Sequence, residues 1–158
     1  MRILLAIDDS QFSREALRAV IRQYQRRGTE VRVLHVIQPV SAYLSADLIP
    51  HFAEHMGTIE RDRKRQAQGM VVRATHKLRT AGFKCSALVV TGEPAAEIIE
   101  RAKRWRADVI VIASYDLHGL NRLLVGSVSE SVARHADCSV EIVRSRKPLE
   151  GSAKGKTA

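Results

Sequence analysis

The pair Gly126-Ser127 stands at a place in the sequence where a protein can bind phosphate. It follows the apolar run Val109 to Ala113 and opens a segment whose small apolar residues recur at helical spacing. The N–H groups and the dipole at the start of a helix attract anions. Ser127 and Glu130 also have the spacing of a capping box, which would satisfy those N–H groups without any ligand. The sequence therefore predicts a helix start that binds a phosphate or is capped by its own side chains.

His51, Glu54 and His55 have the His-x-x-Glu-His spacing of one class of zinc protease. On a helix both imidazoles would lie on one face, and imidazole is a common zinc ligand. A further carboxylate ligand on a second helix cannot be identified, so a zinc hydrolase remains an alternative that metal analysis of the purified protein would decide. No nucleophile elbow is found either. We therefore predict no catalytic residues and a protein that is not an enzyme.

Positive charge is in excess throughout the chain. The 158 residues carry 26 Lys and Arg against 17 Asp and Glu, a net charge of +9 with a pI near 10.2. Such a balance favours contact with nucleotides or nucleic acid. Aromatic residues make up only 4% of the chain, too few for a base-stacking platform, so a nucleic-acid binder is an alternative interpretation. The basic residues of the longest predicted helix are better explained as a solvated face: Arg61, Arg63, Lys64, Arg65, Arg73, Lys77 and Arg79.

Apolar runs typical of buried strands alternate with helical patterns, which predicts a parallel sheet with right-handed crossovers. The expected strands are Ile3 to Ile7, Val31 to Ile37, Cys85 to Val90, Val109 to Ala113 and Ser139 to Arg144. The stretch from Val40 to Met56 has no clean period, follows Pro39 and contains Pro50, so we interpret it as a connection of loop and short helix, the part most able to move. A long helix should follow it and end at Gly82.

Length and composition predict one domain over residues 1–146 and a basic, disordered tail over 147–158. No secretory leader and no apolar run of about 20 residues is found, so we expect a soluble, cytoplasmic protein without membrane contact. Cys85 and Cys138 form neither a zinc nor a Cys-x-x-Cys pattern. We expect two reduced, buried thiols, with a redox pair as the alternative.

Two longer motifs carry a resemblance to a known family. The N-terminal motif is Ile-Leu-Leu-Ala-Ile-Asp-Asp-Ser, followed by Ser13, Ala16 and Leu17. The C-terminal motif is Leu-Leu-Val-Gly-Ser-Val-Ser-Glu, followed by His-Ala-Asp-Cys-Ser-Val-Glu-Ile-Val-Arg. With these motifs the chain resembles the universal stress proteins. The resemblance implies a stress-response regulatory protein with a doubly wound, five-stranded parallel sheet of order 3-2-1-4-5, a Rossmann-like nucleotide-binding type.

The resemblance also implies an ATP crevice where the first and fourth strands meet. The residues that match its positions are Asp8, Val36, Ala113, Asp116, Gly126, Ser127, Val128 and Ser129. From sequence alone, Asp8 could equally cap the following helix and Val36 could be a core valine. The nucleotide-binding members have glycine where this chain has Ala113 and Asp116.

These two differences predict that ATP binding is weakened or lost. Alanine adds a Cβ and disfavours positive φ, and the Asp116 carboxylate repels a triphosphate. A Mg²⁺ ion between Asp116 and the phosphates would offset that repulsion. A working ATP switch therefore stays open as the alternative, as does slow hydrolysis of bound ATP.

The last predicted strand, Ser139 to Arg144, would lie uncovered at the edge of the sheet. In the resembled family this strand pairs with its twin across a two-fold axis. The resemblance thus implies a homodimer, with a further protein partner that the sequence does not identify.

Overall fold

The computed structural model describes residues 1–39, 49–114 and 126–144, and for residues 49–56 it describes the backbone alone. The predicted tail over 147–158 and the loop residue Asp116 lie outside this range. The elements alternate along the chain: β1 (Arg2–Ala6), α1 (Gln11–Gln23), β2 (Glu30–Ile37), α2 (Ile49–Thr80), β3 (Lys84–Thr91), α3 (Pro94–Trp105), β4 (Val109–Ser114), α4 (Ser127–His135) and β5 (Ser139–Arg144).

The five strands form one parallel sheet in the order β3-β2-β1-β4-β5. This order confirms the architecture that the resemblance implies. Each predicted strand forms, with bounds that differ by no more than a residue at either end. The apolar runs are continuous because the central strands are covered on both faces, so that neither face needs polar residues.

Two apolar layers hold the sheet between helices. Ile3 and Leu5 of β1 pack on one face with residues of α1 and α2, such as Leu78, which is fully buried. Leu4 and Ala6 point to the other face and pack with residues of α3 and α4. The helices α1 and α4 cover opposite faces of the sheet. The strands therefore continue outward from the central β1–β4 pair on both sides, β2 and β3 on one side and β5 on the other.

The helix α2 begins earlier than the sequence predicts. Its backbone is helical without a break from Ile49 to Thr80, so the expected connection of loop and short helix, separate from the long helix, is wrong over residues 49–56. Residues 40–48 lie outside the described range. The misleading residue is Pro50, because proline in the interior of a helix disrupts it. In the first turn of a helix a missing N–H has no intrahelical partner to lose, and the fixed φ of proline suits the helix.

The two cysteines lie on opposite faces of the sheet. Cys85 packs at the margin of the layer under α1 and α2, and Cys138 at the margin of the layer under α3 and α4. Both are free thiols and half-buried, so they are less buried than expected. Burial raises the pKa of both thiols, which disfavours the reactive thiolate. Their separation by the sheet excludes a disulfide between them in this fold.

Among the described residues, no helix is both long and apolar enough to cross a lipid bilayer.

Candidate functional site

A crevice of about 580 Å³ opens at the carboxyl ends of the central strands. It lies where β1 and β4 are neighbours and their following helices cover opposite faces, which is the switch point at which doubly wound sheets bind ligands. Its volume is within the range of small-molecule and cofactor sites. The predicted site residues that line it are Asp8, Val36, Ala113, Gly126, Ser127, Val128 and Ser129. Asp116, in the loop between β4 and α4, lies outside the described residues.

Asp8 follows β1 and is held by the first turn of α1. Its Oδ1 accepts hydrogen bonds from the backbone N–H of Ser10 at 3.0 Å and from the hydroxyls of Ser10 and Ser13 at 2.5 and 2.6 Å. The helix cap itself is Ser10, whose hydroxyl accepts from the N–H of Ser13. Within the described chain no donor reaches Oδ2. Asp8 is therefore a positioned carboxylate with one oxygen available at the crevice, and it is not the N-cap that the alternative interpretation assigned.

The start of α4 differs from the predicted capping box. Gly126 is the N-cap, Ser127 is already helical, and no side chain in residues 1–39, 57–114 or 126–144 caps the helix. Glu130 instead pairs with Arg134 at 2.8 Å on the exposed side. The reason is register: Glu130 stands one position too late in the helix to reach back to the cap N–H. The first-turn N–H groups of Ser127, Val128 and Ser129 are thus left for a ligand or water at the crevice.

Gly126 is fixed by two serine hydroxyls. Its N–H donates to the Oγ of Ser114 at 3.2 Å, and its carbonyl accepts from the Oγ of Ser129 at 2.9 Å. Ser114 and Ser129 are both buried. The bond to Ser114 ties the end of β4 to the start of α4, and the bond from Ser129 fixes Gly126 within the first turn of the helix, so the sheet helps to set the orientation of this helix end.

Val36 and Ala113 belong to regular strands. Val36 is paired with Val90 of β3, and Ala113 with Val143 of β5. Of the described non-glycine residues, Arg106 alone has a positive φ. The conformational argument against alanine at position 113 is therefore wrong, because this position does not require positive φ. What remains of the argument is the space that the Cβ of Ala113 occupies.

The structure adds residues to the crevice that sequence reasoning missed. His35 of β2 lines it and donates from Nδ1 to the carbonyl of Ile7 at 2.8 Å. Arg63 of α2 also lines it, and its guanidinium donates to the carbonyl of Gln38 at 2.8 Å. Arg63 was assigned to a solvated helix face, which is wrong for this one residue because it is half-buried. A polar residue inside the apolar run of β2 is the signal that could have identified His35, whereas Arg63 carries no such signal.

Metal ligands do not converge in the described part of the chain, where no three His, Cys, Asp or Glu side chains form a group able to hold an ion. The backbone of His51 and His55 is part of α2. Their side chains and that of Glu54 are outside the described part of the structure. The zinc hypothesis is therefore untested by this geometry.

Comparison with known proteins identifies the family. Residues 1–144 match the model of the universal stress protein family. The universal stress protein YxiE of Bacillus subtilis is 32% identical over 145 residues, which cover 90% of this chain and 98% of that protein. The solved structure of hypothetical protein MJ0577 has 26% identity and a TM-score of 0.75, and the match covers 93% of this chain and 97% of that one.

Some solved structures with the same fold contain adenine nucleotides. A family protein from Arabidopsis thaliana, solved with AMP bound, has 20% identity and a TM-score of 0.62, with 98% of this chain and 97% of that one covered. Two more, one in complex with cAMP and one from Archaeoglobus fulgidus in complex with dAMP, each have 23% identity. The match of the family model over nearly the whole described chain, together with the identity to YxiE, shows that this chain belongs to the universal stress protein family.

Proposed function

We propose that the crevice binds an adenine nucleotide, with a phosphate on the first turn of α4. The observation that carries this proposal is the uncapped helix start: Ser127, Val128 and Ser129 present backbone N–H groups at the crevice, and no side chain of the described residues accepts from them. A phosphate at this place would satisfy these donors and interact favourably with the helix dipole. The nucleotides in the solved relatives support adenine as the base.

The adenosine part would lie toward the ends of β1 and β2. Val36 and the neighbouring apolar residue Ile37 provide a surface there for a flat base. The Oδ2 of Asp8 is an acceptor that suits an amino group of adenine or a hydroxyl of ribose, since both are donors. Asp8 would thus orient the nucleoside while α4 holds the phosphate.

A triphosphate would bind less well than a monophosphate. The Cβ of Ala113 reduces the space beside the β4–α4 connection, and Asp116 adds a negative charge to that connection. Two unit charges about 4 Å apart repel by roughly 1 kcal/mol even in a water-like medium. We therefore propose that this member binds AMP-like nucleotides and has weakened ATP binding, with a MgATP switch as the alternative. Mg²⁺ would have to be supplied with the nucleotide, since the described residues offer no ready site for it.

Calorimetric titration with adenosine, AMP and MgATP tests this function. We expect AMP to bind with a Kd below about 100 µM, and adenosine to bind at least about tenfold more weakly because it lacks the phosphate. MgATP should bind more weakly than AMP. Equal affinities for adenosine and AMP would contradict the phosphate site, and MgATP binding tighter than AMP would favour the switch. Nucleotide that is released from the purified protein and identified by chromatography serves as the control for prior occupancy.

We further propose that the protein acts as a non-catalytic regulatory homodimer in a stress response. The edge strand β5 pairs with β4 on one side only, so a second copy could add its own β5 there. Light scattering should give the mass of a dimer, twice the 17.6 kDa of the chain, and a monomer at high concentration would contradict this proposal.

A further inference from the structure

A second cavity lies on the helical face, separate from the nucleotide crevice. It has a volume of about 410 Å³ and shares no lining residue with the crevice. We call it the α1–α2 groove, since Arg14, Leu17, Arg18 and Ile21 of α1 line one side and His76, Lys77 and Thr80 of α2 line the other. The α1 residues recur at helical spacing, so one stripe of that helix forms the entire side.

The groove has a basic rim. Arg14, Arg18 and Lys77 are exposed, and no carboxylate is among the residues that line it. Arg18 is paired with Glu15 at 2.6 Å. Arg14 and Lys77 form no ion pair with any residue in the described ranges. Arg14 and Lys77 therefore leave the rim with positive charge that no described carboxylate pairs, and such a local positive potential favours an acidic binding partner.

The floor of the groove is apolar. Leu17 is buried as part of the core layer between α1 and the sheet, and the half-buried Ile21 packs against that layer and supplies most of the exposed apolar surface. A free phosphate ion would bind only the rim and would leave this floor in contact with water. An apolar side chain placed on the floor would instead remove apolar surface from water, at about 25 cal/mol for each Å².

We propose that the α1–α2 groove docks a short acidic segment of a partner protein, with one apolar side chain on Leu17 and Ile21 and flanking carboxylates at Arg14 and Lys77. The basic rim requires carboxylates in the partner, and the apolar floor requires an apolar side chain between them. Nucleic acid fits less well because the described residues that line the groove include no aromatic side chain for base stacking. The C-terminal residues of this chain also fit poorly, since Arg146, Lys147, Lys154 and Lys156 would be repelled by the rim.

Selection of random dodecapeptides displayed on phage tests the proposal with the full chain as the immobilised target. The counter-target is the double variant Arg14→Glu/Lys77→Glu, with Arg14→Gln/Lys77→Gln as the replacement if charge reversal impairs folding by circular dichroism. The matched control is Lys64→Glu/Arg65→Glu, which changes the net charge equally on the exposed side of α2, away from the groove. Enriched peptides are then synthesised and titrated at physiological salt.

We expect the enriched peptides to carry acidic residues on both sides of a leucine, isoleucine, valine or phenylalanine. Their Kd should rise by about tenfold or more with the groove variant and by less than about threefold with the control. Replacement of the central apolar residue by serine should also weaken binding by about tenfold. Enrichment of peptides without acidic residues, no enrichment, or equal losses with both variants would overturn the proposal. Tighter binding of a twelve-residue thymidylate oligonucleotide at the groove would overturn it in favour of nucleic acid.

Discussion

Ser127→Glu is expected to weaken AMP binding by about tenfold to a hundredfold while leaving the protein at least as stable as the wild type. The glutamate carboxylate would lie at the first turn of α4, where we place the phosphate. Repulsion between unit charges about 4 Å apart is roughly 1 kcal/mol in a water-like medium and about 4 kcal/mol near a protein surface. The same carboxylate interacts favourably with the helix dipole, which contributes about 0.3–1 kcal/mol to stability. Calorimetry measures the Kd, and urea denaturation measures the free energy of unfolding.

The control for this variant is Ala133→Glu, which adds the same charge to the same helix at an exposed position outside the crevice. Its affinity for AMP should remain within about threefold of the wild type, because exposed charges more than about 10 Å from the phosphate are largely screened. If both variants lose AMP to the same degree, the effect is one of net charge and the phosphate is not on α4. If Ser127→Glu binds AMP as the wild type does, the proposed site is wrong.

Placing glycine at position 113 in β4 and at position 116 in the loop after it is expected to raise the affinity for MgATP by about tenfold or more. The variant Ala113→Gly/Asp116→Gly removes the Cβ of Ala113 and the whole side chain of Asp116, and with them the crowding and the repulsion near a triphosphate. Affinity for AMP should change by less than about threefold, since its single phosphate would be held by α4. Calorimetric titrations with AMP and with MgATP give, for each nucleotide, the ratio of the Kd of the wild type to the Kd of the variant.

The single variant Asp116→Asn separates charge from conformation, because asparagine has nearly the same shape as aspartate but no charge. A gain in MgATP affinity with Asp116→Asn that matches the double variant would assign the effect to repulsion alone. An unchanged MgATP affinity in the double variant would contradict the idea that these positions weaken ATP binding in this chain.

Much of the fold can be predicted from sequence because burial on both faces leaves a strong pattern. Val109 to Ala113 is apolar at every position and belongs to β4, in the interior of the sheet. The start of α2 could not be predicted, because proline is well tolerated in the first turn of a helix but disrupts the helix interior. Only the backbone of the structure shows that the helix begins at Ile49, which places Pro50 in its first turn.

A residue of the candidate site can be predicted from sequence only where it directly follows a strand or begins a helix. Asp8 lies just after β1, and Ser127 is the first residue of α4. Their position at the crevice therefore follows from the alternation of strands and helices. Arg63 reaches the crevice from a helix that is distant in sequence, and nothing near it signals that contact. The capping box was wrong because a shift of one residue in the helix start separates Ser127 from its expected role.

The central claim is that an adenine nucleotide places its phosphate on the uncapped start of α4. Amide correlation spectra of the isotope-labelled protein, titrated with AMP and separately with adenosine, test it most directly. We predict that AMP shifts the backbone N–H resonances of Ser127, Val128 and Ser129, that adenosine leaves them nearly unchanged, and that both ligands shift resonances near Val36. AMP titration that leaves the α4 resonances unchanged, or that shifts chiefly those of Arg14 and Lys77 in the α1–α2 groove, would contradict the account.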